Sequence, residues 1–533
     1  MDRSPQLNWE IRLVLRILTA ALLIVVAYAT GCERKPSTRP VGVRPNILLI
    51  VWDTVRADHV GAYGYDKPTT PFVDQWSTGA RVFEDCLTVG STTVPSHGAM
   101  FTGLLPYQHG ANNERPVLSD RFDTLAELLR DSGYRTYMFS ANPHLSESNG
   151  FTQGFDLAEH PWQPKYRAAA ERIVRAKIPA NDHTGELAAK VKNPNARLSQ
   201  WNIKTAGALA QRGVDAWLGN SDASKPYFIF LNYMEAHRPL IPSDEYRARF
   251  LTPAQVKRSR EIDLRWASLW GYTFGRREIS PADLEIIRGV YDASLAELDD
   301  LFKNLLESLE LSDRLDNTVV VLMSDHGEHL GEHHLLDHQF SVYQELLHVP
   351  LIVHYPAKFA PGRDARPVAN FDVFPTLLEL ARVDPPKALA STAVSLLHAP
   401  RSGARIAAYP AANSEAIAQV QRADAAFDPT AWSRSLRAYV EGPLKLICAS
   451  DGRHALYDLN ADPHELHNLL AERAADAQRL KAALRGELSK LVRGSSESTN
   501  YTAADAQRLT DLGYTAGGDD EGEQPTNSEC DPP

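Results

Sequence analysis

The chain has 533 residues and carries 56 basic against 67 acidic side chains, a net charge of −11 at pH 7. This length is enough for one large α/β domain with appendages, or for two to three smaller units. The acidic balance disfavours a surface that coats a polyanion, so we expect no nucleic-acid partner. An anionic substrate has to be bound by a local site instead.

The N-terminal segment has the pattern of an export signal. Three arginines precede an apolar stretch at residues 17–29, which is shorter than the ~20 residues that a spanning helix needs. The stretch ends in Ala-Thr-Gly-Cys, which resembles a bacterial lipobox with Cys32 as the lipidated residue. We predict a signal peptide over residues 1–32, with a tilted, uncleaved anchor as the alternative. Both predict an exported protein that is attached to the membrane of the cell envelope.

Residues 33–44, which follow this segment, are polar and contain proline, which indicates a tether between the membrane and a folded domain.

Beyond Cys32 the chain has three more cysteines, Cys86, Cys448 and Cys530. They allow one disulfide bond, so a disulfide framework is not what holds this fold together.

Short apolar runs alternate with helical periodicity from residue 45 onwards. Such runs are typical of strands that are buried on both faces of a parallel sheet. The alternation predicts a doubly wound, mostly parallel α/β sheet flanked by helices over residues 45–385. The predicted strands lie at residues 46–52, 134–139, 227–231, 318–323 and 350–353.

A smaller α+β subdomain is predicted C-terminal to two consecutive prolines that follow an apolar helix. It covers residues 386–495, with strand-like segments at residues 444–447 and 455–459 and a helix from about residue 465 to 491. Beyond it, residues 496–533 end in an acidic stretch that is rich in glycine and proline. This composition predicts a disordered tail.

In a doubly wound sheet the ligand crevice lies beyond the carboxyl ends of the strands. The residues that follow the predicted strands are therefore the first to inspect for function. They are Asp53, Asn142, His237 and the pair Asp325 and His326.

Residues 91–103 predict a helix with Pro95 in its first turn and Gly103 just past its end. Thr93 then lies at the helix N-terminus. Unpaired N–H groups and the positive end of the helix dipole favour an anion there, either a bound oxyanion or a threonine alkoxide. For an isolated Thr-x-Pro-Ser, a helix cap without a catalytic role is the alternative interpretation.

Five motifs follow one another along the chain. They are PNILLIVWDTVRAD at residues 45–58, TVPSHGAMFTG at 93–103, EAHRP at 235–239, SDHGEHLGEH at 324–333 and LYDLNADPHELHNL at 456–469. In this order they make the chain resemble the sulfatase family of the alkaline phosphatase superfamily. They correspond in turn to the family's opening strand and metal loop, nucleophile motif, central histidine motif, second metal loop and C-terminal motif.

The resemblance implies one divalent metal ion at the strand ends. Asp53, Asp325 and His326 would bind it together with the oxygen of Thr93. Two carboxylates and an imidazole suit a cation that polarises the substrate and lowers the pKa of the nucleophile. The ligand types do not distinguish calcium, magnesium, manganese and zinc.

The resemblance also implies two assisting histidines. His237 matches a family position that contacts the transferred group or protonates the leaving oxygen. His338 follows the second metal loop, where the family has a basic residue that faces the substrate oxyanion.

The nucleophile motif departs from the family pattern in two positions. Catalytic sulfatases carry Cys or Ser, later oxidised to formylglycine, and Arg two residues beyond the motif's Pro. This chain has Thr93 and His97 there, and we count both as catalytic. The methyl group on the threonine Cβ prevents oxidation to an aldehyde, so we expect no formylglycine and a direct attack that forms a covalent ester. In the first metal loop, Thr54 replaces a second Asp, which leaves fewer carboxylates around the metal.

The leading hypothesis is a metal-dependent hydrolase that cleaves a sulfate ester, such as that of a sulfated glycan or a lipid head group, by attack from Thr93. Because Thr93 cannot be oxidised, a phosphodiesterase, a phosphonate hydrolase or a phosphoethanolamine-type transferase of the same superfamily is the alternative. An inactive, glycan-binding protein of the same fold is a third hypothesis. The joint presence of the nucleophile and the three metal ligands disfavours it.

The histidine-rich loop permits two further interpretations. His329 and His333 fit the H-x-x-E-H pattern of metalloproteases, which requires a helix that puts both histidines on one face. Gly331 in the middle of the pattern and the α/β context make this match a coincidence. A second metal ion bound by some of His329, His333, His334 and His338 is a hypothesis without further support.

Overall fold

The chain divides into two units, Met1–Val43 and Arg44–Pro533. The predicted signal peptide and the tether up to residue 42 lie outside the described residues, and the part that is described contains no helix long and apolar enough to cross a membrane. The computed structural model describes residues 43–177, 203–220, 222, 224–264, 266–386, 391–399, 404–409, 414–497, 499, 501–511 and 529–532.

Within the described residues, the strands form an eight-stranded, a four-stranded and a two-stranded sheet. In chain order they are β1 Asn46–Trp52, β2 Arg81–Leu87, β3 Arg135–Ser140, β4 Leu157–Glu159, β5 Tyr227–Tyr233, β6 Thr318–Ser324, β7 His329–Leu330, β8 Leu336–Asp337, β9 Leu351–His354, β10 Gly362–Ala369, β11 Arg405–Tyr409, β12 Leu436–Glu441, β13 Leu444–Ala449 and β14 Ala455–Asp458.

The α-helices of the described residues lie mainly between these strands. They are α1 Pro71–Ser77, α2 Thr93–Thr102, α3 Pro106–His109, α4 Leu125–Asp131, α5 Arg167–Lys177, α6 Ala206–Gly219, α7 Asp244–Arg247, α8 Pro253–Ser259, α9 Trp266–Thr273, α10 Pro281–Leu311, α11 Gln344–Leu347, α12 Val373–Ala381, α13 Ser414–Ala423, α14 Ala474–Leu488 and α15 Ala503–Asp511.

The eight-stranded sheet has the order β10-β2-β9-β6-β1-β5-β3-β4, and β9 alone among these strands runs against the others. Two separate hydrophobic clusters cover its two faces, so the apolar side chains of β1 are buried on both sides. The prediction of a doubly wound, mostly parallel sheet is confirmed. Each predicted strand is present, with its ends displaced by at most two residues.

The sequence pattern missed the interior strand β2 and the edge strands β4 and β10. Most of β10 is exposed or half-buried, and its sequence GRDARPVA has no continuous apolar run. Because an edge strand is not covered on both faces, it lacks the apolar signal that marked the central strands.

Strand register brings three loops to one edge of the sheet. Trp52 at the end of β1 pairs with Tyr233 of β5 on one side and with Ser324 of β6 on the other. Asp53 and Asp325 therefore follow their strands at the same level, at the carboxyl edge where ligands bind in such sheets.

The smaller C-terminal unit is an antiparallel sheet of order β11-β12-β13-β14, with α14 packed on one face through Leu480, Leu484 and Leu488. This confirms the predicted smaller α+β part with its closing helix, and the structure shows that its sheet is antiparallel. The helix is shorter than predicted, because the segment before α14 forms turns in which Glu465 has a φ of 53°. The boundary at residue 386 stays a prediction.

Two parts of the predicted disordered tail at residues 496–533 have a defined structure, and residues 512–528 of it lie outside the described residues. Residues 503–511 form α15, and Cys530 forms a disulfide bond with Cys448 of β13. Asp531 also accepts a hydrogen bond of 3.0 Å from Arg437 Nη2. Composition indicates the average behaviour of such a tail, whereas one covalent bond and one ion pair fix its end locally.

The C-terminal sheet also supports the loop before Thr93. The backbone N–H of Ala408 in β11 donates to the Val89 carbonyl at 3.0 Å, and the Ser91 N–H donates to the Ala408 carbonyl at 3.3 Å. Edge strand β11 thus fixes the chain two residues before Thr93.

Candidate active site

Thr93 is the first residue of α2, and Thr92 is the N-cap. The Thr93 side chain is fully buried, Asn142 Nδ2 donates to its Oγ1 at 3.2 Å, and His326 Nε2 lies 3.5 Å from the same oxygen. The interpretation of Thr93 as a helix cap does not fit this arrangement, because its hydroxyl contacts side chains from two other loops.

Three side chains beside Thr93 could bind a metal ion. The ligand atoms of Asp53, Asp325 and His326 all lie within 4.8 Å of one another, and the three side chains are fully buried. We call these three residues the metal cluster. They follow β1 and β6, the neighbouring strands whose ends the register brings level.

Asp53 presents one carboxylate oxygen to the centre of the metal cluster. Its Oδ2 accepts hydrogen bonds from Asn142 Nδ2 at 2.9 Å and from Asn232 Nδ2 at 3.3 Å. Its Oδ1 is buried and has no hydrogen-bond donor among the described residues. A buried carboxylate oxygen without a donor is costly unless a cation or a proton is bound there.

Asp325 and His326 also have acceptor atoms that a bound cation would stabilise. Asp325 Oδ1 accepts from the backbone N–H groups of Thr54 at 3.2 Å and His326 at 2.9 Å. His326 Nδ1 lies 3.0 Å from the Gly327 carbonyl, so Nδ1 carries the proton and Nε2 a lone pair. That Nε2 faces Asp325 Oδ2 at 3.4 Å. Two acceptors that face each other fit a cation between them.

Electrostatics supports the same conclusion. Burial, together with the charge of Asp325, raises the pKa of Asp53 to about 7. Burial also raises the pKa of Asp325 to about 7 and lowers the pKa of His326 to about 4. The two carboxylates are thus costly to ionise together, and a bound divalent cation removes that cost. The residues present therefore fit a divalent metal ion.

His97 lies one turn after Thr93 in α2. Its Nδ1 is 3.0 Å from the Thr93 carbonyl and 3.5 Å from Asp325 Oδ2, and its ring packs edge-on against Phe101 and Phe230. Burial lowers its pKa to about 3, so the ring is neutral. His97 therefore contacts both Thr93 and Asp325 from behind, and its assignment as a catalytic residue stays a prediction.

The two assisting histidines predicted from the sequence lie together. The His237 and His338 ring centroids are 5.1 Å apart, and the His338 ring stacks on His326 at 4.5 Å. The three imidazoles therefore form a row that ends beside the Thr93 hydroxyl.

Carboxylates and an arginine surround His338. Asp337 Oδ1 lies 2.6 Å and Glu328 Oε2 3.6 Å from His338 Nδ1, and Arg238 Nε donates to Glu328 Oε1 at 2.8 Å. Although burial opposes it, the charges of Asp337 and Glu328 raise the pKa of His338 well above its ordinary value. His338 is thus an imidazolium, and we call Glu328, Asp337 and His338 the imidazolium cluster.

His237 has the opposite protonation behaviour. Its Nδ1 lies 2.6 Å from the Arg238 carbonyl, so Nδ1 is the donor and Nε2 the acceptor. Burial and the nearby charge of His338 lower its pKa well below the ordinary value. Two neighbouring imidazoles whose environments shift their pKa values in opposite directions can act as an acid and a base.

The other loop histidines do not form a second metal site. His329 contacts Ser341 at 2.6 Å, His333 stacks on Tyr343 and His334 on Tyr272. Residues 329–334 form a short strand and a 3-10 turn, not the helix that the metalloprotease pattern requires. The coincidence interpretation of that pattern is confirmed.

Sequence reasoning missed Asn232, Glu328 and Asp337 as site residues, and it gave Asn142 no role. Asn232 lies inside β5, where a polar residue within an apolar run was the available signal. Glu328 directly precedes β7 and Asp337 is the last residue of β8, and no sequence pattern fixes the path of the chain between them.

Comparison with known proteins agrees with the fold and identifies the family. The sequence model of the sulfatase family matches residues 45–383, more than half of the chain. The chain therefore belongs to the sulfatase family of hydrolases.

Two relatives and two solved structures illustrate the range of this similarity. The chain is 24% identical to an uncharacterized sulfatase of Escherichia coli, over 82% of this chain and 85% of that protein. It is 25% identical to choline-sulfatase of Rhizobium meliloti, over 80% and 82%. The phosphonate monoester hydrolase of Agrobacterium radiobacter superposes with a TM-score of 0.64 at 21% identity, covering 86% of this chain and 99% of that one. A protein solved with its substrate D-glucosamine-2-N,6-O-disulfate superposes with a TM-score of 0.61 at 21% identity, covering 84% and 98%.

Proposed function

We propose that the protein is a metal-dependent hydrolase that cleaves a sulfate ester by direct attack from Thr93 Oγ1. One observation carries the proposal: a buried threonine hydroxyl at a helix start lies in contact with His326 and Asn142, beside three converging metal ligands. Family membership supports the reaction class, and Thr93 distinguishes the mechanism from one that uses formylglycine.

The Thr93 hydroxyl is prepared for attack by its surroundings. A divalent cation held by the metal cluster would lower the pKa of an adjacent hydroxyl and polarise the ester. Asn142 Nδ2 donates to Thr93 Oγ1, which orients the hydroxyl and stabilises negative charge that develops on it. The helix N-terminus adds a positive potential at the same place.

Proton transfer follows from the opposite states of His237 and His338. In the first step Thr93 Oγ1 bonds to sulfur, the bond from sulfur to the alcohol oxygen breaks, and that oxygen takes a proton from His338. With a cation in the metal cluster, the Thr93 hydroxyl would give its proton to solvent beforehand, so Thr93 attacks as the alkoxide. In the second step water attacks sulfur, its proton passes to His237 Nε2 and on to the neighbouring His338, and Thr93 departs as the alkoxide.

A phosphonate monoester or phosphodiester is the second candidate substrate. Thr93 cannot become formylglycine, and the phosphonate monoester hydrolase of Agrobacterium radiobacter has the same fold. These esters, like sulfate monoesters, carry one negative charge and a tetrahedral centre. A phosphoryl transferase differs in using an alcohol instead of water in the second step.

The cell envelope is the proposed site of action, with a sulfated glycan or lipid head group as substrate. The N-terminal sequence pattern and the disulfide between Cys448 and Cys530 support export, since disulfides persist in oxidising compartments. Membrane fractionation of the native host, with labelling of Cys32 by a lipid analogue, tests the anchor.

A substrate panel tests the reaction. Aryl sulfate, phosphonate monoester, phosphodiester and phosphate monoester are assayed with added divalent metals on the wild type and on Thr93→Ala. We expect turnover of aryl sulfate by the wild type and a loss of about 10³-fold or more in the variant. No activity of the wild type on aryl sulfate would remove the sulfatase assignment, and the other panel members would then identify the substrate.

The covalent ester tests the mechanism. If its hydrolysis is slower than its formation, an acid quench shortly after mixing leaves a sulfo or phospho group on Thr93. High-resolution mass measurement separates these nearly isobaric groups. An adduct on another residue, with Thr93→Ala still active, would refute direct attack by Thr93.

A further inference from the structure

A buried lysine lies behind the turn that carries His237. Lys204 is fully buried, and its Nζ donates to the backbone carbonyls of Met234 and His237. The His237 N–H also donates to the Met234 carbonyl, at 3.2 Å. One ammonium therefore joins the two ends of the turn at residues 234–237, which follows β5.

Lys204 belongs to a buried group of four charges. Glu235 Oε1 accepts from the Gly207 N–H at 3.0 Å, and Lys177 donates to Glu297 at 2.5 Å and to the Lys204 carbonyl at 2.8 Å. Two lysines and two glutamates balance in charge beneath the turn. Burial lowers the pKa of Lys204 to about 7, which shows how poorly this position is solvated.

Burying charged side chains costs free energy, because the charges lose their hydration. Replacing buried ion pairs by apolar residues of similar size is often neutral or stabilising, so their presence by itself does not indicate a gain in stability. An apolar residue at position 204 would leave the Met234 carbonyl with the His237 N–H alone and the His237 carbonyl without the lysine donor. The position of the lysine thus serves the conformation of this turn.

The conformation of the turn determines the tautomer of His237 and the position of its ring. The Arg238 carbonyl, next to the turn, holds His237 Nδ1 at 2.6 Å and so directs Nε2 as the acceptor. The ring also lies 5.1 Å from His338. A movement of the turn would change the tautomer and the separation of the two imidazoles together.

We propose that Lys204 is a positioning residue for the reaction at Thr93, because it fixes the turn that places His237 beside His338. This proposal rests on the function proposed above and names a residue through which the same site is held in its active geometry. Lys204 contacts the backbone of the turn, so it acts through His237.

Lys204→Met tests the proposal, with Lys177→Met as the matched control from the same charge group. We expect kcat to fall about 10²-fold for Lys204→Met with KM changed less than ~3-fold, because misplacement of a catalytic group affects the chemical step. The control should change both constants less than ~3-fold. Equal losses in the two variants would show a general structural role and overturn the proposal.

A double-mutant cycle with His237→Ala gives a sharper test. If Lys204 acts through His237, Lys204→Met should cause no further loss of kcat in the His237→Ala background. Additive losses would mean that the two residues act independently, which contradicts the proposal.

A crystal structure separates this proposal from the proposed function. Should Lys204→Met not fold, Lys204→Met combined with Glu235→Gln removes both charges and keeps the side-chain sizes. We expect the turn at residues 234–237 and the His237 ring to be displaced from His338. If the His237 ring keeps its position in the variant, the positioning role is refuted, whatever the activity of the wild type. If the ring is displaced in the variant but the wild type does not hydrolyse a sulfate ester, the proposed function alone is refuted.

Discussion

The metal cluster and the imidazolium cluster are alike in composition but differ in their surroundings. Each consists of two carboxylates and one histidine, fully buried, with ligand atoms within 4.8 Å of one another. By composition and burial alone, both are equally good metal sites.

The charges around them distinguish the two clusters. Asp53 and Asp325 accept hydrogen bonds from side-chain amides and backbone N–H groups, which are neutral. The imidazolium cluster instead has the Arg238 guanidinium on Glu328 and a proton on His338. Its charges balance without a metal, so we expect a proton there and a metal ion in the other cluster. The charge of the neighbours, more than the ligand set, decides which cation a buried carboxylate group takes.

The largest effect is expected for Asp325→Asn in the metal cluster. The change keeps the size of the side chain but removes one of two charges, so bound metal should fall from one ion per chain to none and activity by about 10³-fold or more. Elemental analysis after dialysis measures the metal. Full metal content in this variant would mean that the ion binds elsewhere.

A smaller effect is expected for Asp337→Asn in the imidazolium cluster. The variant should keep one metal ion per chain, while kcat falls about 10- to 10²-fold because His338 loses the carboxylate that holds its proton. The same elemental analysis and a kcat measurement give both results. Glu328→Gln is the matched second variant, and loss of metal in either one would make this cluster a metal site after all.

The sequence predicted the central strands and the metal cluster because both leave local signals. Asp53 and Asp325 directly follow continuous apolar runs, and a parallel sheet brings such positions to one edge. The imidazolium cluster left no such signal. It depends on a loop in which Asp337 has a φ of 77°, and on Arg238 from a loop ninety residues away in sequence from Glu328. Local periodicity does not specify such long-range pairings of polar side chains.

The pH dependence of stability should show the metal cluster directly. In the absence of metal, the folded-state pKa values of Asp53 and Asp325 are raised to about 7 from 3.8. Their contribution to the free energy of unfolding is therefore fully present below pH 3.8 and is lost as the pH rises towards about 7. The contribution of these two carboxyl groups should thus give the metal-free protein a higher melting temperature at mildly acidic pH than at neutral pH.

Added divalent metal should reverse this trend, because the ion binds the ionised carboxylates. The metal-induced rise in melting temperature should increase between pH 5 and 8, a range of about three units around these pKa values, by ligand linkage. Thermal unfolding with and without a chelator measures it. Asp325→Asn is the control that should show no metal-induced rise, and a rise that is independent of pH would contradict the assignment of the two carboxylates.

The smallest effect is expected for Thr93→Ser, which keeps the hydroxyl beside the metal cluster. The oxygen retains its contacts with Asn142 and His326, so activity should stay within about tenfold, and the lost methyl group should lower stability by about 1 kcal/mol. Unlike threonine, the new serine can be oxidised to an aldehyde by a host that matures sulfatases. The variant is therefore purified from hosts with and without that machinery, and its intact mass is measured together with its kcat. Direct attack requires that the unoxidised variant is active. If activity appears solely in the oxidised form, the hydroxyl at this position is not a nucleophile, and the metal cluster serves a different reaction in this chain.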